Sequence, residues 1–302
     1  MHARDWTMAI GASPFGIAPP GFHLPAATRI GRVRLQVRDL ERSLEYYGRV
    51  LGLRTLMTRG AVATLGAHGD DRPLVELHER KGARAVPRRG LLGLYHFALL
   101  LPDRPSLGRF VRHLAGLGVH AGSADHAVSE SLYLTDPDGL GIEVYADRPR
   151  STWQVNGREL YLTVEPLDVA DLVREGGNAP WTGLPAGTVI GHVHLYVGAL
   201  EQAEAFYHAA LGFDKIAWSY PGALFLSAGG YHHHLGTNTW AAGSPAATDA
   251  DARLLEWELI LSGADAVTDA AASIAAAGHR TIREGADQVV ADPWGTTLRI
   301  RA

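Results

Sequence analysis

A repeat with a spacing of 160 residues constrains the fold of this chain more than any other feature. The segment "IGRVRLQVRDLERSLEYYGRVLG" (30–52) aligns without a gap with "IGHVHLYVGALEQAEAFYHAALG" (190–212), with ten identities over 23 positions. Each copy begins with the alternation typical of a β-strand and continues as a short amphipathic helix that ends at a glycine. The 302-residue chain is therefore predicted to be an internal duplication.

Each half contains a second unit of the same kind. The segments 94–119 and 255–279 both read as strand, loop, helix and glycine stop, and each is followed by an Asp-Pro turn between two strands. The prediction is four units of order βαβββ, at 30–80, 93–147, 190–241 and 254–302. We assign residues 1–29 to an N-terminal arm, 30–147 and 190–302 to two domains of two units each, and 148–189 to a connector with one short helix near "DVADLVREGG".

Composition excludes several classes of protein. The chain has no cysteine, which rules out disulfides, zinc thiolate sites and a cysteine nucleophile, so any metal would be held by nitrogen and oxygen. A net charge of -4 with scattered basic residues gives no reason to expect nucleic acid, and no apolar run is long enough to cross a membrane. The first residues lack the pattern of a signal peptide, so we expect a loose arm and a cytoplasmic protein.

The arrangement of the four units resembles the vicinal oxygen chelate superfamily. Each unit has a helix after its first strand, and an Asp-Pro turn precedes the last strand of the second and fourth units. The resemblance covers nearly all of the chain after residue 29. It implies an α+β fold in which the units pair into two open β-barrels, with metal ligands on the first and last strands of the units.

The resemblance places three ligand-type residues at such positions. His96 lies on the first strand of the second unit, Glu143 on its last strand, and His192 on the first strand of the third unit. Two histidines and one carboxylate are the set typical of non-haem Fe(II) oxygenases, and they leave positions for a substrate and O₂. The matching positions of the first and fourth units are held by Arg32, Glu256 and Arg299. We therefore predict one metal per chain, between the second and third units.

The segment "HAVSESLYLTDPDGLGIE" (126–143) resembles the signature of extradiol ring-cleavage dioxygenases, H-x5-L-Y-x2-D-P-x-G-x3-E. The resemblance implies that Glu143 is the carboxylate ligand and that His126 and Tyr133 are catalytic residues that reach the substrate's oxygens. The order of the units differs from that of better-known members. The segments "GLYHFALLLPDR", "YADRPRSTW" and "SAGGYHHHLGTNTW" are similar to the catechol 2,3-dioxygenases found in bacilli.

Three histidines run together in "GYHHHLGTNTW" (230–240), which is expected to be the last strand of the third unit. The resemblance favours His233 as the catalytic acid-base residue, although His232 and His234 stay open because neighbouring strand residues point to opposite faces. The predicted substrate-binding residues are His194, His234 and Trp240. The other candidate pocket residues are Trp218, Tyr220 and Asn238. The histidines assigned to the surface are His68, His78, His113, His120, His208 and His279.

The resemblance implies an Fe(II)-dependent extradiol dioxygenase that opens a catechol with O₂ to a muconic semialdehyde. Mn(II) suits the same ligands, and association into a homo-oligomer stays open. One alternative is a non-redox metal enzyme of the superfamily, such as a glyoxalase-like isomerase or a thiol transferase. A second alternative is a binding protein of the bleomycin-resistance type, which needs only an aromatic-lined groove.

Overall fold

The structure is a computed structural model that describes residues 15 to 302. Its elements follow the predicted order. The first module consists of β1 (Arg29–Val37), α1 (Leu40–Arg49), β2 (Arg54–Arg59), β3 (Val62–Gly66) and β4 (Pro73–Glu79). The second module consists of β5 (Gly93–Leu100), α2 (Arg104–Leu117), β6 (Gly122–Asp125), β7 (Ser129–Thr135) and β8 (Gly141–Asp147).

The connector has structure of its own. It contains a 3₁₀ turn (Arg150–Thr152), β9 (Val155–Asn156), β10 (Glu159–Leu160) and α3 (Val169–Glu175). The helix α3 lies where the sequence predicts it, and it packs against α2 so closely that a side-chain carbon added at Gly108 would be 2.0 Å from the Leu172 carbonyl oxygen. The connector is therefore tied to the second module.

The second half repeats the order of the first. The third module consists of β11 (Val189–Tyr196), α4 (Leu200–Ala203), a π-helix (Glu204–Ala210), β12 (Asp214–Ala217), β13 (Ala223–Ser227) and β14 (Leu235–Asn238). The fourth consists of β15 (Arg253–Ile260), α5 (Ala264–Ala276), β16 (Thr281–Glu284), β17 (Asp287–Ala291) and β18 (Thr297–Arg301). The helix predicted at 200–211 is present, but its second part has the wider π-helical turn, as when the Leu211 N–H donates to the Phe206 carbonyl.

The ends of α2 show why the sequence forms this helix. The Asp103 side chain accepts a hydrogen bond from the Ser106 N–H at 2.7 Å and so satisfies one free donor of the first turn. Pro105 lies in that turn, where its missing N–H costs nothing. Gly118 ends the helix with φ of 67°, a left-handed conformation that glycine adopts without strain.

Two eight-stranded sheets pair modules from different halves of the chain. One sheet has the order β12-β13-β14-β11-β5-β8-β7-β6 and joins the third and second modules. The other has the order β16-β17-β18-β15-β1-β4-β3-β2 and joins the fourth and first. The first strands meet antiparallel at the centre of each sheet, β11 with β5 and β1 with β15. The predicted α+β class, with four βαβββ modules in two open barrels, is confirmed.

The helices bind each half together across the two sheets. The buried Tyr47 of α1 donates its hydroxyl to Asp136 of the second module at 3.1 Å. At the equivalent position 160 residues later, Tyr207 donates to Asp292 of the fourth module at 2.8 Å. The duplication therefore extends to individual side-chain contacts, and each Asp-Pro turn is anchored by a tyrosine from the other module of its half.

Part of the N-terminal arm is packed. Ile17 forms an antiparallel bridge with Lys215 of the third module, and Leu24 is buried in the core. The prediction of a loose arm is therefore wrong for residues 15–28, while residues 1–14 lie outside the described part of the chain. Within residues 15–302, no helix combines the length and the apolar character that a bilayer crossing requires.

Candidate metal centre and active site

Three buried side chains converge between the second and third modules. His96 comes from β5, His192 from the adjacent strand β11, and Glu143 from β8 on the other side of β5. The Nε2 atoms of the two histidines are 3.2 Å apart. Oε2 of Glu143 is 3.0 Å from Nε2 of His96 and 3.1 Å from Nε2 of His192. The structure therefore brings together the three residues that the sequence predicts as metal ligands, although they lie far apart in the chain.

The geometry of this set fits a metal ion. When ligand bonds are about 2.1 Å long, two ligand atoms at right angles around the ion are about 3.0 Å apart, which is close to all three separations. The three atoms are therefore placed so that they could bind one shared ion. Within residues 15–302 this is the one set of three His, Asp or Glu side chains close enough to share an ion. Among the same residues, the buried Nδ1 atoms of His96 and His192 have no hydrogen-bond partner.

The charge state of the set also suits a metal. Burial alone would raise the pKa of the Glu143 carboxyl, but the imidazoles of His192 and His96 outweigh it and hold that pKa well below its usual range. Burial lowers the pKa of His192 to about 4, against the opposing effect of Glu143. A neutral imidazole and an ionised carboxylate are the forms that bind metals. Ser131 donates its hydroxyl to Oε1 of Glu143 at 2.6 Å, which leaves Oε2 for the ion.

A cavity of about 160 Å³ opens beside the three ligands. Its other lining residues are Tyr95, Ala124, His126, Val128, Tyr133, Leu162, Thr163, Val164, His194, Tyr220, Phe225, His233 and Trp240. Among the described residues that line it, none is a lysine or arginine. The volume is similar to that of an apolar cavity of about 150 Å³ that accommodates a benzene ring. A single aromatic ring therefore fits against the ligand set.

The predicted catalytic residues His126 and Tyr133 form a hydrogen-bonded pair in this cavity. Nδ1 of His126 donates to the Thr163 carbonyl at 2.6 Å, because a carbonyl can only accept. With this proton on Nδ1, Nε2 is the free acceptor of the ring, and it receives the Tyr133 hydroxyl at 2.5 Å. Burial, reinforced by the charge of Glu143, raises the pKa of Tyr133 well above its ordinary value, so the phenol keeps its proton.

The three consecutive histidines have three different environments. They lie before β14, which begins at Leu235, so the prediction that they belong to this strand is wrong. His233 lines the cavity, with its ring centre 4.1 Å from that of His192. His232 lies behind it and is fully buried. The structure does not bring His234 to the cavity, because its Nδ1 accepts from the Ala228 N–H and contacts the Ser227 hydroxyl. Its predicted role in substrate binding has no support from this position.

Some of the remaining predicted pocket residues line the cavity, and others lie outside it. His194 and Trp240 line the cavity, as does Tyr220. Asn238 lies one layer out and donates its amide to Nε2 of His194 at 3.0 Å. Trp218 packs against the core. Burial lowers the pKa of both His194 and His233 well below the ordinary value, so both rings are neutral.

One of the histidines assigned to the surface is buried. His208 is 6% exposed, and its Nδ1 donates to the Phe213 carbonyl at 2.7 Å. It therefore supports the turn that follows the π-helix. The assignment of His208 to the surface is wrong.

The other sheet carries salt bridges where this sheet carries ligands. Arg32, equivalent to His192, bonds Glu258 at 2.9 Å. Arg299 bonds Glu256 at 2.9 Å. These pairs occupy the centre of the sheet formed by the first and fourth modules. Because a guanidinium repels a cation, the described part of this sheet offers no equivalent metal site.

Several residues at the site were missed from the sequence. Leu162, Thr163 and Val164 of the connector line the cavity, and Thr163 holds His126 through its backbone carbonyl. Asp147, four residues after Glu143 on β8, bonds His232. The alternation of strand residues signals that Asp147 shares a face with Glu143, whereas a backbone carbonyl leaves no trace in the sequence.

Comparison with known proteins agrees with this geometry. The model of the Glyoxalase/Bleomycin resistance protein/Dioxygenase superfamily matches residues 29–144 and 189–300. The chain belongs to this superfamily. The curated protein "Catechol-2,3-dioxygenase" of Bacillus subtilis (strain 168) is 51% identical over 217 residues, which are 71% of this chain and 75% of that protein. The resemblance to the vicinal oxygen chelate superfamily is confirmed, as is the prediction that the chain is an enzyme of the dioxygenase group.

Solved structures share the fold at low identity. A crystal structure from Bacillus subtilis subsp. subtilis str. 168, for which a dioxygenase function is suggested, has a TM-score of 0.64 and 13% identity, and the match covers 93% of this chain and 86% of that one. Glyoxalase I from Zea mays has a TM-score of 0.55 and 18% identity, covering 91% and 92%. At these identities the likeness concerns the fold alone.

Proposed function

We propose that the protein is an Fe(II)-dependent extradiol dioxygenase that opens the ring of a catechol with O₂ to give a muconic semialdehyde. The observation that carries the proposal is the convergence of His96, Glu143 and His192 beside a cavity of ring size. The name of the curated relative supports the same substrate class. Fe(II) held by these residues would acidify a catechol hydroxyl and bring the ring and O₂ together.

The chain's own residues have distinct tasks in this proposal. The aromatic lining, with Tyr95 and Phe225, would hold the ring, and the neutral His233 would accept a proton from the second catechol hydroxyl. Such a base typically contributes roughly 10²–10⁴ in rate. Tyr133, held by His126, would hydrogen-bond a substrate oxygen. The connector residues 162–164 would limit access of water.

The test is reconstitution of the protein with Fe(II) under anaerobic conditions, followed by catechol and air. We expect a yellow ring-fission product and one iron per chain. A colourless mixture with one iron bound would refute the dioxygenase and favour a non-redox metal enzyme. Failure to bind metal would favour a binding protein.

Two controls sharpen this test. His192→Ala should abolish both iron binding and colour, whereas His68→Ala, at an exposed histidine of the first module that does not line the cavity, should change neither. Mn(II) in place of Fe(II) tests the choice of metal. The cytoplasmic location and the association into oligomers stay predictions.

A further inference from the structure

A continuous chain of hydrogen bonds runs from the cavity to the protein surface through residues that the proposed reaction does not use directly. Nδ1 of His233 is 2.7 Å from Nδ1 of His232. Nε2 of His232 is 3.0 Å from Oδ1 of Asp147. The Asp147 side chain is 26% exposed, whereas the side chain of His232 is fully buried. The chain thus links a cavity residue to a carboxylate at the surface.

The direction of each hydrogen bond follows from which atoms can donate and which can accept. A carboxylate only accepts, so the bond to Asp147 requires the proton of His232 on Nε2. A neutral imidazole has one N–H, so Nδ1 of His232 is an acceptor. The bond between the two Nδ1 atoms then requires the proton of His233 on Nδ1. A cationic His232 would donate from Nδ1 and reverse this bond, so the stated direction is that of the neutral His232 ring.

Two tyrosines also form hydrogen bonds around Asp147, and they do not change the direction of the bonds through His232. The Tyr231 hydroxyl donates to Oδ1 of Asp147 at 3.0 Å. The Tyr145 hydroxyl is 2.7 Å from that of Tyr231, and it is the donor because the Tyr231 proton is already used. Both tyrosines are buried. They help to fix the carboxylate, whereas the link to His233 passes through His232.

We propose that Asp147 and His232 are positioning residues that hold His233 in the tautomer with an unprotonated Nε2, the form able to take a proton from a substrate hydroxyl. The catalytic use of this tautomer rests on the proposed function of His233 as the base. The tautomer itself does not, because it follows from the hydrogen-bond chain. Among the described residues, no group bonds to Nε2 of His233, so this atom is available to a ligand in the cavity that the ring lines.

The experiment uses the full-length, metal-free protein with ¹⁵N-labelled histidine rings, and it records which ring nitrogens carry protons by two-bond N–H correlation spectra. Signals of the two histidines are assigned from their loss in His232→Gln and His233→Gln. In the wild-type protein we expect His233 protonated on Nδ1 and His232 on Nε2. In Asp147→Ala we expect a major fraction of His233 to move its proton to Nε2.

Tyr231→Phe is the matched control, because it removes a bond to the same oxygen of Asp147 but leaves the chain intact. It should keep the wild-type tautomers. With the iron-loaded protein, Asp147→Ala should lower kcat about 10- to 100-fold while KM changes little, since the base is misprotonated but the cavity is intact.

Three results would overturn the proposal: a wild-type His233 protonated on Nε2, a doubly protonated His232, or unchanged tautomers in Asp147→Ala. The wild-type spectrum decides the first two even if Asp147→Ala does not fold. If every variant, including the wild type, lacks ring-cleavage activity, the proposed function fails, and the spectra still decide the tautomer.

Discussion

Replacement of Tyr47 by phenylalanine tests the contact that anchors the Asp-Pro turn of the second module. The Asp136 carboxyl is 4% exposed and accepts the Tyr47 hydroxyl as well as the N–H groups of Asp138 and Leu140, at 2.9 and 2.8 Å. Burial raises the pKa of Asp136 from its ordinary 3.8 to about 6, although these hydrogen bonds oppose the shift. The contact therefore has a charged acceptor above about pH 6 and a neutral one below it.

The expected loss of stability follows from this change of charge. A hydrogen bond to a charged group contributes about 1.5–3 kcal/mol, and one between neutral groups about 0.5–1.5 kcal/mol. Tyr47→Phe should therefore lower the free energy of unfolding by the larger amount at pH 8 and by the smaller amount at pH 5. In the wild-type protein the folded state binds more protons than the unfolded chain between pH 3.8 and about 6. The stability that the wild-type protein gains from proton binding at Asp136 is therefore present at low pH and is lost as the pH rises from 3.8 through about 6. This effect is separate from the strength of the Tyr47 hydrogen bond.

The assay is urea unfolding at both pH values, followed by circular dichroism and tryptophan fluorescence. Tyr46→Phe is the control, because its hydroxyl makes no hydrogen bond to the described residues. Tyr207→Phe should repeat the effect in the second half at pH 8, since Asp292 is bonded in the same way. An equal loss for Tyr46→Phe and Tyr47→Phe, or a larger loss at pH 5 than at pH 8, would refute the reasoning.

Two further predictions concern the site, and a third concerns the packing around the strand that carries His192. Glu143→Gln should weaken metal binding, measured in competition with a chelator, by more than the roughly 10- to 100-fold that loss of a group hydrogen-bonded to a ligand typically costs. Unchanged affinity would exclude the carboxylate as a ligand. Tyr133→Phe should lower kcat about 10- to 100-fold and leave metal affinity unchanged; full activity would remove Tyr133 from the reaction. Gly191→Ala would place a carbon 1.8 Å from the Tyr145 hydroxyl and should lower the free energy of unfolding by about 1–3 kcal/mol. Gly21→Ala, which meets open space, is its control, and equal losses would contradict the packing argument.

The candidate metal-ligand set could be predicted from the sequence because it depends on strand positions. The repeat fixes which strand is first in each module, and the resemblance assigns ligands to first and last strands. His96, Glu143 and His192 then follow without knowledge of the tertiary structure. The replacement of His192 by Arg32 in the repeat also indicates which pair of modules has the site.

The environment of the three consecutive histidines could not be predicted from the sequence in the same way. Gly229 and Gly230 both have positive φ, at 62° and 65°, and they form a turn whose end determines where β14 begins. Sequence shows the two glycines but not the length of this turn. The alternation rule therefore has no fixed starting point for residues 232–234, and the sequence could not show that His234 lies outside the cavity lining.

The pairing of β5 with β11 has a consequence for how the enzyme matures. The first half of the chain carries His96 and Glu143, and the third candidate ligand, His192, lies beyond the connector. A growing polypeptide on the ribosome therefore lacks the complete set of candidate metal ligands until its third module has emerged. Under the proposed function, a product that ends before His192 would lack one of the three ligands, so metal loading would report that the third module has been made.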